Sequence, residues 1–229
     1  MIAVECQEIR RVYRQGAVKI PALDGINLTV RKGDFLALAG PSGSGKTTLL
    51  NIIGGLDRAD SGQVILAGEN LNGMTQSELA ELRLHKIGFV FQAFNLIPVL
   101  SAAENVDFVM LLQGIPAAQR LKRALAILDE VGLSGMYHRR PSELSGGQQQ
   151  RVAVARAIVS DPSIVLADEP TANLDSQTGK NLLEMMKEMN ARRKVTFVFS
   201  THDPMVMEYA TRLVRIKDGR VVDDQIRGG

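Results

Sequence analysis

Residues 35–53 read Phe-Leu-Ala-Leu-Ala-Gly-Pro-Ser-Gly-Ser-Gly-Lys-Thr-Thr-Leu-Leu-Asn-Ile-Ile. The five apolar residues at 35–39 suit a buried strand, and 46–53 carries apolar residues at helical spacing. Between them, Gly40-Pro41-Ser42-Gly43-Ser44-Gly45-Lys46-Thr47 fits the pattern G-x-x-x-x-G-K-[ST]. Strand, Gly-rich loop and helix in that order let consecutive backbone N–H groups converge on phosphate oxygens. Gly40, Gly43 and Gly45 permit backbone conformations that a Cβ would block. The N-terminus of the helix adds partial positive charge. Lys46 supplies a full charge for β- and γ-phosphates, and the Thr47 hydroxyl can ligate Mg²⁺. Pro41, Ser42, Ser44 and Thr48 complete the expected nucleotide-binding set.

A second stretch, Ile164-Val165-Leu166-Ala167-Asp168-Glu169-Pro170, has four apolar residues followed by two acids. That suits a central parallel strand whose C-terminal end reaches the ligand crevice. Asp168 is expected to hold Mg²⁺, directly or through water, and Glu169 to orient and deprotonate an attacking water. His202 follows another apolar run, Val195–Ser200, so it falls on the same sheet edge, where an imidazole can meet a γ-phosphate. His85 and His138 lack that placement and read as surface. A further Gly-rich turn, Leu144-Ser145-Gly146-Gly147-Gln148, opens what reads as another helix. Its hydroxyl and N–H groups form a second candidate phosphate-binding turn.

Together these residues resemble the nucleotide-binding subunit of an ABC (ATP-binding cassette) transporter, from Tyr13 to about Val222. The Walker A loop is 40–47, Gln92 in Phe89-Val90-Phe91-Gln92 matches the Q-loop, and 144–148 matches the signature. Walker B is 164–169, Asn173-Leu174-Asp175 matches the D-loop, and His202 matches the switch histidine. The resemblance implies ATP and Mg²⁺ as ligands, with Gln92 meeting both the metal and a membrane partner. It also implies Tyr13 as the aromatic that stacks on adenine; an ordinary half-exposed strand tyrosine is the competing reading. Asn95–Val106, Ile53–Asp57 and Pro170–Asp175 are similar to the lipoprotein-release and macrolide-export group (LolD and MacB types), with the FtsE-type cell-division ATPase a close alternative. Two rival classes fit less well. A soluble ABC ATPase acting on DNA or ribosomes would show a long coiled-coil insertion or a second cassette. A P-loop kinase of small molecules leaves 144–151 unexplained.

Composition fits a single unit. With 229 residues, 45% of them apolar, the chain can bury one substantial core or a core plus a subdomain. No apolar run approaches the roughly 18–20 residues of a membrane-spanning helix, and Met1–Cys6 lacks the pattern of a secretory signal. A lone Cys6 suits a reducing cytosol. Net charge of +2 gives no reason to expect a nucleic-acid partner. The pairs Arg10-Arg11, Arg139-Arg140 and Arg192-Arg193 read as solvated surface. With the membrane partner that the resemblance implies, the expected location is the cytoplasmic face of the inner or plasma membrane, reached through that partner.

The expected fold class is α/β: a P-loop NTPase core with a mostly parallel sheet, an N-terminal antiparallel β-subdomain and an inserted α-helical subdomain. Residues 1–92 and 156–229 form the core and β-subdomain, and 93–155 the helical subdomain that carries the signature. Residues 1–39 read as short strands with a turn at Arg31–Asp34. Thr75–Glu78 and Ser101–Glu104 read as capping boxes, and Pro116 as a helix start. Lys217–Arg220 turns a final hairpin. Each chain has one Walker A loop and one signature on separate subdomains, and the resembled family pairs them across two subunits. The expected partners are thus a second copy, sandwiching ATP, and an integral membrane permease subunit contacted near Gln92.

Overall fold

The computed structural model describes residues 1–16 and 18–227. Two sheets carry the chain. The first is antiparallel, in the order β2–β1–β4–β5, from β1 (Ile2–Gln15), β2 (Val18–Arg31), β4 (Ser61–Leu66) and β5 (Glu69–Asn70). The second runs β10–β9–β3–β8–β7–β6, from β3 (Phe35–Ala39), β6 (Ile87–Val90), β7 (Ile164–Asp168), β8 (Phe197–Thr201), β9 (Arg212–Lys217) and β10 (Arg220–Ile226). All its pairings are parallel except β9–β10, which close as a hairpin at 218–219. The helices are α1 (Lys46–Ile53), α2 (Gln76–Lys86), α3 (Ala102–Leu112), α4 (Ala117–Glu130), α5 (Gly146–Ile158), α6 (Ser176–Arg193) and α7 (Pro204–Tyr209).

Period-two alternation in the central strands feeds two cores. Phe35, Ala37, Ala39, Val165, Ala167, Phe197 and Phe199 face one way, packing with α3–α6 residues such as Val106, Leu128, Val152 and Leu183. Leu36, Leu38, Ile164, Leu166 and Val198 face the other, packing with α1 and the antiparallel sheet through Leu49, Ile53, Val4 and Ile26. Both faces of the parallel sheet are covered, which explains why its strands read as continuous apolar runs.

The N-terminal segment differs from the expectation of several short strands. β1 and β2 are 14 residues each and pair along nearly their whole length. Register shifts at Cys6/Ile9, Ile9/Arg10 and Arg11/Val12 interrupt the alternation, so one bent strand carries the pattern of several. Both capping boxes are present. Glu78 N donates to Thr75 Oγ1 while Thr75 N donates to Glu78 Oε2, and Ser101 and Glu104 repeat the exchange. The backbone bond from Thr75, and the one from Ser101, hold the Glu78 and Glu104 carboxyls below the ordinary range. Pro116 occupies the position just before α4. α5 runs to Ile158, and its Val152, Val154, Ala155, Ala157 and Ile158 pack into the first of the two cores.

Two of the basic pairs are not simply solvated. Arg11 is held by Asp57 and Asp60, and Arg193 by Glu130 and Asp161. Carboxylates distant in sequence turn each into a tertiary tie, which neighbouring residues give no hint of.

Candidate active site

The C-terminal ends of β3, β6, β7 and β8 lie on one edge of the parallel sheet, the edge at which open α/β sheets bind ligands. Each delivers one functional segment. After β3 comes the 40–47 loop, after β6 Gln92, at the end of β7 Asp168 and Glu169, and after β8 His202.

The loop enters α1 through Gly45 at φ 105°, and no side chain caps the helix. The first-turn N–H groups are therefore left for an anion. Lys46 is 6% exposed. Its Nζ donates to Gly40 O at 2.8 Å and Pro41 O at 2.9 Å. Burial draws the Lys46 ammonium below the usual lysine range, against the opposing charges of Glu169 and Asp168. A desolvated cation beside uncapped N–H groups is a site that favours an anion. Ser44 Oγ is buried without a partner in the same loop.

Thr47 Oγ1 donates to Asp168 Oδ1 at 3.1 Å, bringing a hydroxyl and a carboxylate oxygen together. Among the described residues no cluster of three or more His, Cys, Asp or Glu side chains is poised to hold a metal. The Thr47–Asp168 pair fits a hard cation such as Mg²⁺, which commonly takes one or two protein oxygens plus substrate phosphates and water.

Glu169 sits in the left-handed region at φ 46°, with its N–H donating to Ser200 O at 2.9 Å. Its carboxylate meets His202 Nδ1 at 2.7 Å through Oε1, and Thr201 Oγ1 at 3.4 Å through Oε2. Thr171 Oγ1 donates to Asp203 Oδ2 at 3.0 Å, binding the segment after Glu169 to the segment bearing His202. Thr171, Thr201 and Asp203 went unread in the sequence, since their roles depend on two parallel strands ending side by side. Gln92 O accepts from Asn173 Nδ2 at 2.8 Å. The buried Gln150 on α5 donates to Pro170 O at 2.8 Å, so α5 is hydrogen-bonded to the chain beside Glu169.

Part of this set lines one open cleft of ≈ 620 Å³, while Gly40, Ser44 and Asp168 stand behind its lining. Pro41, Ser42, Gly43, Gly45, Lys46, Thr47 and Thr48 contribute from the loop, and Tyr13, Gln92, Glu169 and His202 from elsewhere. Ile20, Pro21 and Ala22 of β2 also line it. They reach it because β2 pairs with β1 beside Tyr13, a placement with no local sequence signal. His85 and His138 are exposed and outside the cleft, as read.

The signature turn is not in the cleft. Ser145 caps α5, with its Oγ accepting from Gln148 N at 3.3 Å and its N–H donating to Gln148 Oε1 at 2.9 Å. The hydroxyl uses a lone pair in this cap, so its proton remains free to donate. Gly147 has a packing reason beyond any ligand, because a Cβ there would fall 2.3 Å from Thr178 Cγ2 of α6. None of residues 145–148 lines the cleft. One chain thus assembles the loop, the carboxylates and the imidazole, and leaves the second Gly-rich turn facing elsewhere.

A phosphate cradle with a desolvated lysine, beside a carboxylate–imidazole pair at the sheet's carboxyl edge, defines a P-loop nucleoside triphosphatase. The comparisons narrow the class. The family described as ABC transporter matches residues 23–172. The chain is 49% identical over 215 residues to the lipoprotein-releasing system ATP-binding protein LolD 1 of Rhodopseudomonas palustris, covering 93% of this chain and 95% of that one. It is 48% identical over 221 residues to the macrolide export ATP-binding/permease protein MacB of Syntrophobacter fumaroxidans, covering 96% of this chain but only 31% of that protein. The ATP-binding cassette MJ0796, solved as a dimer in a post-hydrolysis state with ADP and Pi, superposes with a TM-score of 0.89 at 41% identity, covering 99% of each chain. This chain belongs to the ABC transporter family. It is an ABC ATPase of the LolD/MacB group, with the α/β architecture of that cassette. Among the described residues no helix is long and apolar enough to cross a membrane.

Proposed function

We propose that this chain is the ATP-hydrolysing subunit of a membrane transporter, working as a homodimer that holds two ATP molecules between its copies. The observation that carries this reading is the separation of the two Gly-rich turns. The cleft holds Lys46, Glu169 and His202 but none of residues 145–148. A second copy, related by a twofold axis, supplies the missing turn to each cleft. The dimer with ADP and Pi known for the similar cassette supports the same arrangement.

Within that arrangement the loop N–H groups and Lys46 bind the triphosphate, and Thr47, Asp168 and Gln92 would hold Mg²⁺. The metal, when bound, would supply charge neutralisation on the phosphate oxygens. Glu169 orients the attacking water and takes its proton. His202, 2.7 Å from the carboxylate, steadies Glu169 and faces the terminal phosphate. Tyr13 stacks on adenine. Ser145 donates its free hydroxyl proton to the terminal phosphate of the ATP bound to the other copy, with Gly146 and Gly147 adding N–H groups and Gln148 fixing the turn.

A membrane permease is the further partner. An apolar groove of ≈ 650 Å³ is lined by Leu56, Leu84, Phe89, Val109, Leu112 and, among others, Phe91, the residue before Gln92. A short segment of that partner fits it, so opening and closing at the nucleotide would be transmitted through Phe91 and Gln92. Lipoprotein release or macrolide export is the activity proposed, on the strength of the LolD and MacB relatives. The helical subdomain expected at 93–155, with α5 kept whole to Ile158, is proposed to move as a unit against the core and β-subdomain. The working location is the cytoplasmic face of the membrane.

Glu169→Gln tests the reading. The variant is expected to bind Mg-ATP, to sediment as a stable dimer and to lose turnover. Wild-type turnover, or a monomer at saturating Mg-ATP, would overturn it.

A further inference from the structure

The cleft extends from Lys46 to Tyr13, and Tyr13 is held by Asp57 and Arg11. Its hydroxyl donates to Asp57 Oδ2 at 2.7 Å. The Arg11 guanidinium carbon lies 4.8 Å from the centre of the Tyr13 ring, within cation–π reach. Tyr13 lines the cleft and Arg11 does not. Arg11 is itself fixed. It forms a two-pronged pair with Asp57, at 2.8 Å from Nη2 and 3.2 Å from Nε, and reaches Asp60 at 2.9 Å from Nη1. Asp60 Oδ2 also accepts from Val12 N at 2.6 Å, and Asp60 N donates to Arg10 O at 2.8 Å. Burial works to lower the Arg11 guanidinium, but the bond to Asp60 and the charges of Asp57 and Asp60 hold it above its ordinary range; the Val12 N–H leads in holding the Asp60 carboxyl below its own.

The carboxylates belong to the segment that leaves α1, the helix opened by the phosphate loop. Leu56 N and Asp57 N both donate to Asn51 O in α1, at 2.8 and 3.2 Å. The aromatic platform on β1 is therefore bonded to the same helix whose other end cradles phosphate.

We infer that Arg11, Asp57 and Asp60 are positioning residues that fix the Tyr13 ring at a set distance and angle from the phosphate loop, so that nucleotide binds a preformed base platform. The bidentate geometry matters, because the planar guanidinium is locked by two carboxylates before it covers the ring. A preformed platform spares the nucleotide the cost of ordering a side chain on an otherwise exposed hairpin. The inference rests on the proposed stacking of Tyr13 on adenine and adds what holds that ring.

The test is calorimetric binding of ADP and of inorganic tripolyphosphate to the full chain and to Arg11→Gln, Asp57→Asn and Tyr13→Ala. Tripolyphosphate uses the loop but has no base. Arg11→Gln and Asp57→Asn are expected to weaken ADP by about three- to tenfold while leaving tripolyphosphate within about twofold of wild type. Tyr13→Ala should weaken ADP at least as much. Unchanged ADP affinity in the Arg11 and Asp57 variants, with loss in Tyr13→Ala, would overturn the clamp and spare the stacking assignment. Equal weakening of both ligands would also overturn it, by assigning the network to the phosphate loop. Unchanged ADP affinity in Tyr13→Ala would remove the stacking reading and the inference with it.

Discussion

Gly43 and Gly45 stand two residues apart in one loop, yet their replacement by Ala should have very different consequences. Both have left-handed backbones, at φ 76° and 105°. Holding a residue with a Cβ there costs about 1–2 kcal/mol. Ala offsets about 0.4–1 kcal/mol of that by restricting the unfolded chain. Gly43 faces open space, with nothing within 4 Å of an added Cβ. A Cβ at Gly45 would lie 2.5 Å from Ala22 O and 2.8 Å from Leu23 Cδ2. The carbonyl belongs to strand β2 and cannot swing aside as a side chain would, so overpacking adds about 1–3 kcal/mol. The net expectation is a loss of about 0–1.5 kcal/mol for Gly43→Ala and about 1–4.5 kcal/mol for Gly45→Ala. In a chain of this size each kcal/mol moves the midpoint by about 2–4 °C. Urea and thermal unfolding of the two variants without nucleotide should therefore separate them by several degrees. Equal losses, or a Gly45→Ala as stable as wild type, would refute the reasoning, for then β2 does not press on the loop.

Lys46→Met should abolish ATP hydrolysis without lowering the stability of the nucleotide-free protein in proportion. Wild type gains about 2.7 kcal/mol at a hundredfold excess of ligand over Kd, and the variant should gain almost none, read as the ATP-induced midpoint shift. The sign of the pH dependence follows from the depressed Lys46 ammonium. The burial penalty is fully present below its native pKa and is relieved as pH rises through that value toward about 10.4, where the unfolded chain releases its proton. Wild-type stability should therefore improve relative to Lys46→Met as pH rises through the alkaline range; a constant difference would contradict this. Ser145→Arg should remove hydrolysis and leave nucleotide binding by the monomer intact, by steady-state turnover and calorimetry. Unchanged hydrolysis would place the whole catalytic unit within one chain.

The residues that carry the phosphate chemistry were legible because that chemistry is local. The 40–47 loop needs its glycines, lysine and threonine in consecutive positions, and Asp168-Glu169 follow directly on an apolar strand. The capping boxes at Thr75 and Ser101 were legible for the same reason, since donor and acceptor lie three residues apart. Contacts made by pairing distant segments were not. Arg11 reads as half of a basic dipeptide until Asp57 and Asp60 are brought to it across the start of β4. Thr171 and Asp203 are unremarkable until β7 and β8 end side by side. The bends in β1 hid a single long strand, because shifting register breaks the alternation by which strands are recognised. Gly147 was read for its N–H, and its closeness to Thr178 required the packing of α5 on α6.

The most direct test of the composite site is an experimental structure of Glu169→Gln with Mg-ATP. The account predicts a twofold dimer in which each triphosphate meets Lys46 of one copy and Ser145 of the other. A triphosphate touched by Lys46 and Ser145 of the same chain, or held in full by a monomer, would contradict it.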